Sequence, residues 1–231
     1  MKWSDAALEV FKWGSEIKNL EEKQALADQL AAQAKNGDVI GFGSGSTAFL
    51  ALCSLAQRVK NEKLDILAVP TSYEIEMACR QYGITTTTLN NDRPNWAFDG
   101  ADEVDADHSL INGRGGAMLR EKMVMSVSPK TYILADKSKM VSRLGEKFAV
   151  PVEIHPLALS YVRQSLLDLG ATELQLRLAK SKDGPVFTES NNLILDARFD
   201  GIDKQMEKKI KSITGVVESG LFIGFPVEIL C

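Results

Sequence analysis

Two carboxylates near a glycine-rich loop are the residues of this chain whose types and spacing most clearly suit chemistry. Asp99 and Asp102 lie in the sequence FDGADEVD, which begins at residue 98. They are separated by Gly100 and Ala101, whose small side chains let a ligand approach the backbone closely. We therefore expect residues 99–102 to form a loop that offers two carboxylates to a ligand.

A loop with an amide and a cation follows ten residues after these carboxylates. It has the sequence NGRGG, in which the first four residues are Asn112, Gly113, Arg114 and Gly115. A helical pattern covers residues 117–127, so the loop leads directly into the first turn of a helix. Because free backbone N–H groups and the helix dipole favour negative charge there, this loop is suited to an anion.

Glu121 is the candidate general base within that predicted helix. Met118 lies three residues before it and Met125 four residues after it, so the three side chains share one face. Burial on an apolar stripe disfavours the charged carboxylate and raises its pKa, as a base working near neutral pH requires. The alternative is a surface glutamate paired with Lys122 or Arg120, because structural ion pairs also perturb pKa values.

Another glycine-rich stretch, GFGSGST at residues 41–47, stands between a short apolar run and an apolar helical pattern. A strand, a glycine turn and a helix start in this order form a phosphate-binding arrangement. Its donors are the amides and hydroxyls of Ser44, Gly45, Ser46 and Thr47. The sequence therefore predicts a phosphate-binding loop, and the alternative is a tight turn without a ligand.

This loop matches neither of two common nucleotide-binding motifs. No lysine precedes its Ser/Thr as in a P-loop, and Ser46 occupies the position of the third glycine in GxGxxG. The next predicted strand, residues 64–69, ends in Pro-Thr-Ser rather than in the acidic residue that would bind a ribose hydroxyl. A phosphate group therefore suits the loop better than NAD does.

Helices and strands are predicted to alternate through the first 150 residues. The predicted helices cover residues 3–35 (in one or two pieces), 48–56, 73–82 and 117–127, and the predicted strands cover 38–40, 64–69, 84–89, 96–98 and 131–135. Thr71 and Glu74 predict a capping box at the third helix. The alternation indicates an α/β fold with a parallel sheet, whose ligands bind at the carboxyl ends of the strands. Four loops follow such strands, at residues 41–47, 70–72, 99–102 and 136–139.

The pattern changes near residue 150, where a smaller α+β domain is predicted to begin. Its predicted helices cover residues 157–169 and 203–213, and its β-rich stretches cover 173–179, 186–188, 193–197 and 216–229. We place the first domain at residues 1–150, with residues 221–231 returning to it. The second domain is placed at residues 151–220.

Composition restricts the class of protein and of site. The net charge of −4 argues against a nucleic-acid surface, and no apolar run reaches the roughly 20 residues of a membrane helix. The N-terminus lacks the apolar core of a signal peptide, and three cysteines without a CxxC pair suit a reducing cytosol. Because the sequence has two histidines and no Cys/His cluster, we expect no transition-metal site. We expect a cytoplasmic globular protein.

Five motifs in order, GFGSGSTA, VPTS, DGADEVD, GRGGAMLREK and ADKSK, closely resemble ribose-5-phosphate isomerase type A. The resemblance runs from about Glu22 to the C-terminus. It implies a Rossmann-like domain with a small α+β domain, a homo-oligomer (commonly a dimer), and neither metal nor cofactor. It also implies interconversion of ribose 5-phosphate and ribulose 5-phosphate in the pentose phosphate pathway.

The resemblance assigns roles residue by residue. Glu121 matches the catalytic base that moves a proton between C1 and C2 through an enediolate. The first substrate loop is matched by Ser44, Gly45, Ser46 and Thr47, the second by Asp99, Gly100, Ala101 and Asp102, and Lys139 matches the substrate-binding lysine. Residues 112–115 match the glycine loop of the site.

One position departs from the family pattern. Asn112 occupies the head of the glycine loop, where the family usually has lysine, and Arg114 stands where many members have glycine. We hypothesise that Arg114 partly replaces the missing lysine. The departure leaves open a substrate other than ribose 5-phosphate.

Other classes of protein remain as alternatives. A non-catalytic regulator that senses a sugar phosphate would use the same loops, although the sequence contains no recognisable DNA-binding module. A coenzyme A transferase-like enzyme would use a glutamate as nucleophile. Such an enzyme would be revealed by a covalent thioester and by dependence on an acyl-CoA.

Overall fold

The computed structural model describes residues 13, 14 and 16–231. In chain order its helices are α1 Leu20–Ala31, α2 Ser46–Glu62, α3 Tyr73–Gln81, α4 Met118–Val127, α5 Leu159–Asp168 and α6 Met206–Lys211. Its strands are β1 Val39–Phe42, β2 Leu67–Pro70, β3 Thr85–Thr86, β4 Trp96–Gly100, β5 Glu103–Val104, β6 Leu110–Ile111, β7 Thr131–Leu134, β8 Val150–Ile154, β9 Ala171–Leu176, β10 Leu193–Phe199, β11 Val216–Ser219, β12 Leu221–Phe222 and β13 Val227–Leu230.

Contacts divide the chain into two units. The first comprises the described part of Met1–Gly100, with Met123–Asp136 and Pro226–Cys231, and the second comprises Ala101–Lys122 and Lys137–Phe225. The sequence-based limits instead place residues 101–122, 137–150 and 221–225 in the first domain. β5, β6 and β12 join the first and last of these segments in one sheet, and Asn112 and Lys122 attach them to residues 151–220 through Gly220, Glu207 and Glu218. The domain limits stay a prediction, which limited proteolysis would test.

The first unit contains a six-stranded sheet in the order β13-β7-β4-β1-β2-β3, and every neighbouring pair is parallel. All four residues of β7 are buried, as are three of the four in β1. Apolar runs of this kind belong to parallel strands covered on both faces. The predicted α/β fold with a parallel sheet is confirmed, and the carboxyl ends of its strands share one edge.

The core of the first unit lies between this sheet and its helices. Phe42 and Phe98 pack ring against ring on neighbouring strands, with 4.9 Å between centroids. Leu30 of α1 and Leu52 and Leu55 of α2 are fully buried in the same cluster. This packing fixes the end of β1 and the start of α2, which enclose the predicted phosphate loop.

The prediction of helix through residues 3–35 is wrong at both ends of the described part. Residues 3–12 lie outside the described residues, and α1 begins only at Leu20 and ends at Ala31. Asn19 has a left-handed backbone (φ 54°), which a right-handed helix does not accommodate. The helical spacing of apolar residues therefore continues beyond the segment that is helical.

The predicted capping residue of α3 is also wrong by one position. Ser72, rather than Thr71, is the N-cap, and its hydroxyl accepts a hydrogen bond from the Ile75 amide at 3.4 Å. The residue before the first helical one takes this role, and α3 begins at Tyr73. The Thr71 hydroxyl instead donates to the carbonyl oxygen of Phe42 at 3.0 Å.

The second unit contains two antiparallel sheets, β11-β8-β10-β9 and β12-β6-β5. Val152 of β8 is paired with Leu195 of β10, and both are buried. Val162 and Leu166 of α5 are buried in the same apolar cluster. Short paired strands with packed helices agree with the α+β character predicted for this part of the chain.

Candidate active site

In the first unit, the loop after β1 is tied to the ends of β2 and β4. The Ser44 amide donates to Asp99 Oδ1 at 3.2 Å, and the hydroxyls of Ser44 and Thr71 are 2.7 Å apart. The same Asp99 oxygen accepts from the Gly100 amide at 2.7 Å. Asp99 is buried. Ser44, Thr71 and Asp99, one residue from each of three predicted loops, thus meet at the carboxyl edge of the sheet, as the alternating pattern predicts.

Gly43 is required by the close approach of this loop to Asp99. A Cβ at residue 43 would lie 2.3 Å from Asp99 Cγ and 2.6 Å from Asp99 Cα. No carbon atom fits at such distances, so any other residue would displace the carboxylate or the loop. The glycine pattern therefore has a specific steric cause here, beyond the turn itself.

The predicted phosphate loop leads into α2. Gly45 is its N-cap with φ 90°, a conformation that favours glycine, and Ser46 and Thr47 form the first helical positions. Free amides at this point suit an anion. Lys23 of α1 donates from Nζ to Ser46 Oγ at 3.3 Å, so a buried cation accompanies the hydroxyls.

Sequence reasoning missed Lys23. The signal was present, because Lys23, Ala27 and Leu30 recur at helical spacing and all are buried on α1. A lysine on the apolar stripe of a helix indicates a cation with a partner in the interior. Thr71 was likewise assigned only a capping role, although its hydroxyl contacts Ser44.

In the second unit, Asp102 is a carboxylate with an unused acceptor. Its Oδ2 is buried and has no hydrogen-bond partner among the described residues, while Arg114 Nη1 lies 3.7 Å from Oδ1. Burial raises the pKa of Asp102 above its ordinary value, although the charges of Arg114, Lys139 and Arg177 oppose the change. A buried acceptor without a donor suits a ligand hydroxyl.

Arg114 and Lys139 both lie against the ring of Phe148. The guanidinium carbon of Arg114 is 4.4 Å from the ring centroid, and Lys139 Nζ is 5.8 Å from it. The Arg114 carbonyl oxygen accepts a hydrogen bond from Arg177 Nη1 at 2.7 Å. Two of the predicted site cations are therefore gathered on one aromatic side chain, which sequence reasoning did not identify.

Glu121 lies in the first turn of α4 and is 3 % exposed. Asn112 Nδ2 donates to Glu121 Oε2 at 3.3 Å, and Asn112 is itself buried. Met118 and Met125 are buried too, as expected for one apolar face. The carboxylate is therefore in the interior, and the alternative of a surface glutamate is wrong. Gly113 lets the loop pass close to Met118 at the start of α4, since a Cβ at residue 113 would lie 2.6 Å from Met118 Cβ.

The cations on either side of Glu121 have partners elsewhere in the second unit. Lys122 Nζ donates to Glu207 Oε1 at 2.6 Å, to Glu218 Oε1 at 2.9 Å, and to the carbonyl oxygens of Ser219 and Leu221 at 2.9 and 2.7 Å. These bonds attach the start of α4 to α6, β11 and β12. Arg120 pairs with Glu189.

The remaining predicted residues form the backbone of the same loops. Gly100 ends β4 and Ala101 follows it as a buried residue, while Gly115 lies in the turn closed by the Gly116 amide and the Gly113 carbonyl oxygen. Among residues 13, 14 and 16–231, no three His, Cys, Asp or Glu side chains are grouped so that they would hold a metal ion. None of the described helices combines the length and apolar composition that crossing a membrane demands.

Comparison with known proteins identifies the family. The profile described as "Ribose 5-phosphate isomerase A (phosphoriboisomerase A)" matches residues 67–231. The chain is 45 % identical over 206 residues to the ribose-5-phosphate isomerase A of a Synechococcus strain, covering 87 % of this chain and 88 % of that protein. It belongs to the ribose 5-phosphate isomerase A family.

Solved structures of the same family have the same fold. Ribose 5-phosphate isomerase A from Methanocaldococcus jannaschii superposes with a TM-score of 0.89 at 39 % identity, covering 92 % of this chain and 95 % of that one. A D-ribose-5-phosphate isomerase solved in complex with phospho-erythronic acid superposes with a TM-score of 0.88 at 34 % identity, with the same coverage. The resemblance found in the five motifs is therefore confirmed across most of the chain.

Proposed function

We propose that Glu121 is the general base with which this enzyme interconverts ribose 5-phosphate and ribulose 5-phosphate. The observation that carries the assignment is the interior position of its carboxylate, with Oε2 held by the Asn112 amide at 3.3 Å. A general base needs a fixed orientation toward the carbon-bound proton and a partly desolvated environment. The burial of Glu121 and its contact with Asn112 at the first turn of α4 support this role.

The proposed reaction moves one proton from C2 to C1 and one from O2 to O1, without gain or loss of atoms. Glu121 removes the proton from C2 of the open-chain aldose, and the electron pair forms a C1–C2 double bond while the carbonyl oxygen becomes an enediolate oxyanion. A proton then passes from the O2 hydroxyl to the O1 oxyanion. The electron pair of the resulting O2 oxyanion forms the C2 carbonyl, and the C1–C2 electron pair takes the proton from Glu121 at C1. Hydrogen-bond donors near the oxyanion stabilise the intermediate.

We assign substrate binding to the polar loops of each unit. In the first unit these are Ser44, Gly45, Ser46, Thr47, Asp99 and Gly100, and in the second they are Ala101, Asp102, Asn112, Gly113, Arg114, Gly115 and Lys139. The buried, unpartnered Oδ2 of Asp102 supports a role as acceptor for a sugar hydroxyl. The complex of a relative with phospho-erythronic acid supports a phosphorylated sugar derivative as ligand.

A spectrophotometric coupled assay on ribose 5-phosphate, with the Glu121→Gln variant, tests the assignment. The amide keeps the volume of the side chain but cannot accept a carbon-bound proton, so kcat should fall about 10²–10⁴-fold while the thermal midpoint stays near that of the parent chain. Glu21→Gln, at an exposed position on α1, is the matched control and should keep full activity. Near-parental turnover by folded Glu121→Gln would refute the assignment.

Other aldose phosphates in the same assay test the alternative substrate that the Asn112 departure leaves open.

We further propose that the protein is a cytoplasmic homo-oligomer that works without a cofactor. The oligomeric state that we expect is a dimer. The three cysteines, Cys53, Cys79 and Cys231, are free thiols, which supports a reducing compartment. Light scattering coupled to gel filtration measures the mass in solution. A mass of about 25 kDa at micromolar concentration, that of one chain of 25.3 kDa, would contradict the dimer.

A further inference from the structure

The segment from Gly145 to Phe148 is fixed by a single buried carboxylate. Glu103 is completely buried, and it accepts hydrogen bonds from the amides of Gly145 at 2.7 Å and of Lys147 and Phe148 at 2.6 Å each. A carboxylate that accepts three backbone N–H groups holds a loop rigidly. Glu103 directly follows Asp102 in the chain, so the position of the Phe148 ring is coupled to that of the buried acceptor.

The same segment also holds the residues around Lys139. Lys147 Nζ donates to the carbonyl oxygens of Ser138 at 2.6 Å and of Met140 at 3.0 Å. Lys139 lies between these two residues, on a short 3-10 helix that spans Lys137–Lys139. Its ammonium group is 5.8 Å from the Phe148 centroid, within the range of a cation–π interaction.

The Arg114 side chain also contacts the Phe148 ring, and its other side-chain contact, with Asp102, is weak. Its side chain is 55 % exposed, and its ion pair with Asp102 is long at 3.7 Å. An exposed ion pair of this length contributes little on its own, and a long side chain loses conformational entropy when it is fixed. The Phe148 ring at 4.4 Å supplies the second contact, and a planar guanidinium stacks on such a ring better than an ammonium does.

We infer that Phe148 is a positioning residue, whose ring holds the charged groups of Arg114 and Lys139 in place for an anionic substrate. The inference rests on the proposed function, in which these two cations bind a sugar phosphate. Binding is tighter when the donors are already ordered, because the ligand does not have to order them. The effect belongs to KM rather than kcat, since a phosphate keeps its charge throughout the isomerisation.

A set of variants tests whether the Phe148 ring affects KM through Arg114 and Lys139. Phe148→Leu should raise KM for ribose 5-phosphate roughly three- to thirtyfold, the range expected for a cation–π contact, with kcat changed less than twofold. In a chain that already carries Arg114→Met and Lys139→Met, the same change should alter kcat/KM less than twofold. Phe148→Tyr should have a KM close to the parental value, because tyrosine also presents an aromatic face to the cations. Phe187→Leu is the matched control, because Phe187 pairs with Lys182 at 5.2 Å and has no role in the proposed site.

Graded fluorination of the Phe148 ring keeps the test informative if Phe148→Leu does not fold. Fluorinated phenylalanines preserve the shape of the ring but withdraw electron density from its face, so KM should rise with each added fluorine. A flat series would overturn the inference, as would an equal effect of Phe148→Leu with and without the two cations. If the parental chain has no turnover, the proposed function fails and the inference fails with it. Turnover without coupling would refute the inference alone.

Discussion

At the scale of single residues, a neutral amide contacts the proposed base. Asn112 donates to Glu121 at 3.3 Å, at the position where the motif resemblance leads us to expect a lysine. A neutral donor gives roughly half the energy of a charge-assisted hydrogen bond. The charge has not been lost from the neighbouring residues, because Arg114 lies beside Asp102 and Phe148. We therefore expect the two functions of one lysine, charge and orientation, to be divided between Arg114 and Asn112.

Exchange at these two positions tests the division. Arg114→Gly should lower kcat/KM about tenfold through the lost cation, a change of roughly 1.4 kcal/mol. Asn112→Lys should restore much of this loss in the double variant, since it returns a cation to the loop. Steady-state kinetics on ribose 5-phosphate for the parental chain, both single variants and the double variant give the answer. A kinetically silent Arg114→Gly would show that Arg114 does not replace the lysine.

Asp99 and Asp102 also lead to a prediction about metal ions. Asp99 Oδ1 accepts two backbone N–H groups, and Asp102 Oδ1 lies 3.7 Å from Arg114 Nη1, so one oxygen of each carboxylate is already near a donor or a cation. We expect activity to survive exhaustive treatment with a chelator, measured by the coupled assay with metal-free coupling enzymes. Loss of activity that Mg²⁺ or Ca²⁺ restores would instead make both aspartates candidate metal ligands.

At the scale of elements, the start of each functional helix is fixed by a contact that depends on one residue. The loop before α2 passes so close to Asp99 that only glycine fits at position 43. The start of α4 is attached through Lys122, whose ammonium binds Glu207, Glu218 and two carbonyl oxygens next to the proposed base. Elements that carry the site are thus held by steric and ionic contacts that the secondary structure alone does not provide.

Gly43→Ala tests the steric contact. The added Cβ would lie 2.3 Å from Asp99 Cγ, so the loop or the strand must move, and we expect unfolding free energy to fall by about 1–3 kcal/mol. The kcat/KM value should fall as well, because Asp99 is displaced. Gly201→Ala is the control, since a Cβ at Gly201 meets no atom within 4 Å. Equal stability and activity of both variants in urea unfolding and in the coupled assay would contradict the steric argument.

At the scale of the whole molecule, sequence patterns predicted the features that depend on residues close together in the chain. Apolar runs predicted the parallel sheet, and the methionines around Glu121 predicted a buried carboxylate. The patterns did not predict contacts between distant segments: Lys23 with Ser46, or the Phe148 ring with Arg114. Those contacts join residues that are far apart in the chain, so no helical or strand periodicity relates them. The start of α1 was missed for a different reason, because the left-handed backbone of Asn19 interrupts a spacing that is otherwise helical.

Acid unfolding is a property of the whole molecule to which one buried ion pair should contribute measurably. Burial raises the pKa of Glu218, but the charge and hydrogen bond of Lys122, with the Ser219 amide and Lys211, outweigh burial and leave that pKa below its ordinary value. A carboxyl group with a lowered pKa in the folded state stabilises the fold above the unfolded pKa of about 4.3, and this contribution is lost as pH falls through the folded value.

Urea unfolding between pH 7 and pH 3 measures this contribution. Glu218→Gln leaves Lys122 with one partner fewer, so we expect it to be about 1–3 kcal/mol less stable than the parent at pH 7. The difference should shrink as pH falls from about 4.3 through the lower folded value, because the carboxyl group of the parent takes up a proton first in the unfolded and then in the folded state. Glu173→Gln, whose side chain is 77 % exposed, is the control and should follow the parental curve within about 0.5 kcal/mol. If the curves for Glu218→Gln and the parent stay parallel at every pH, the Lys122–Glu218 pair does not contribute to acid stability.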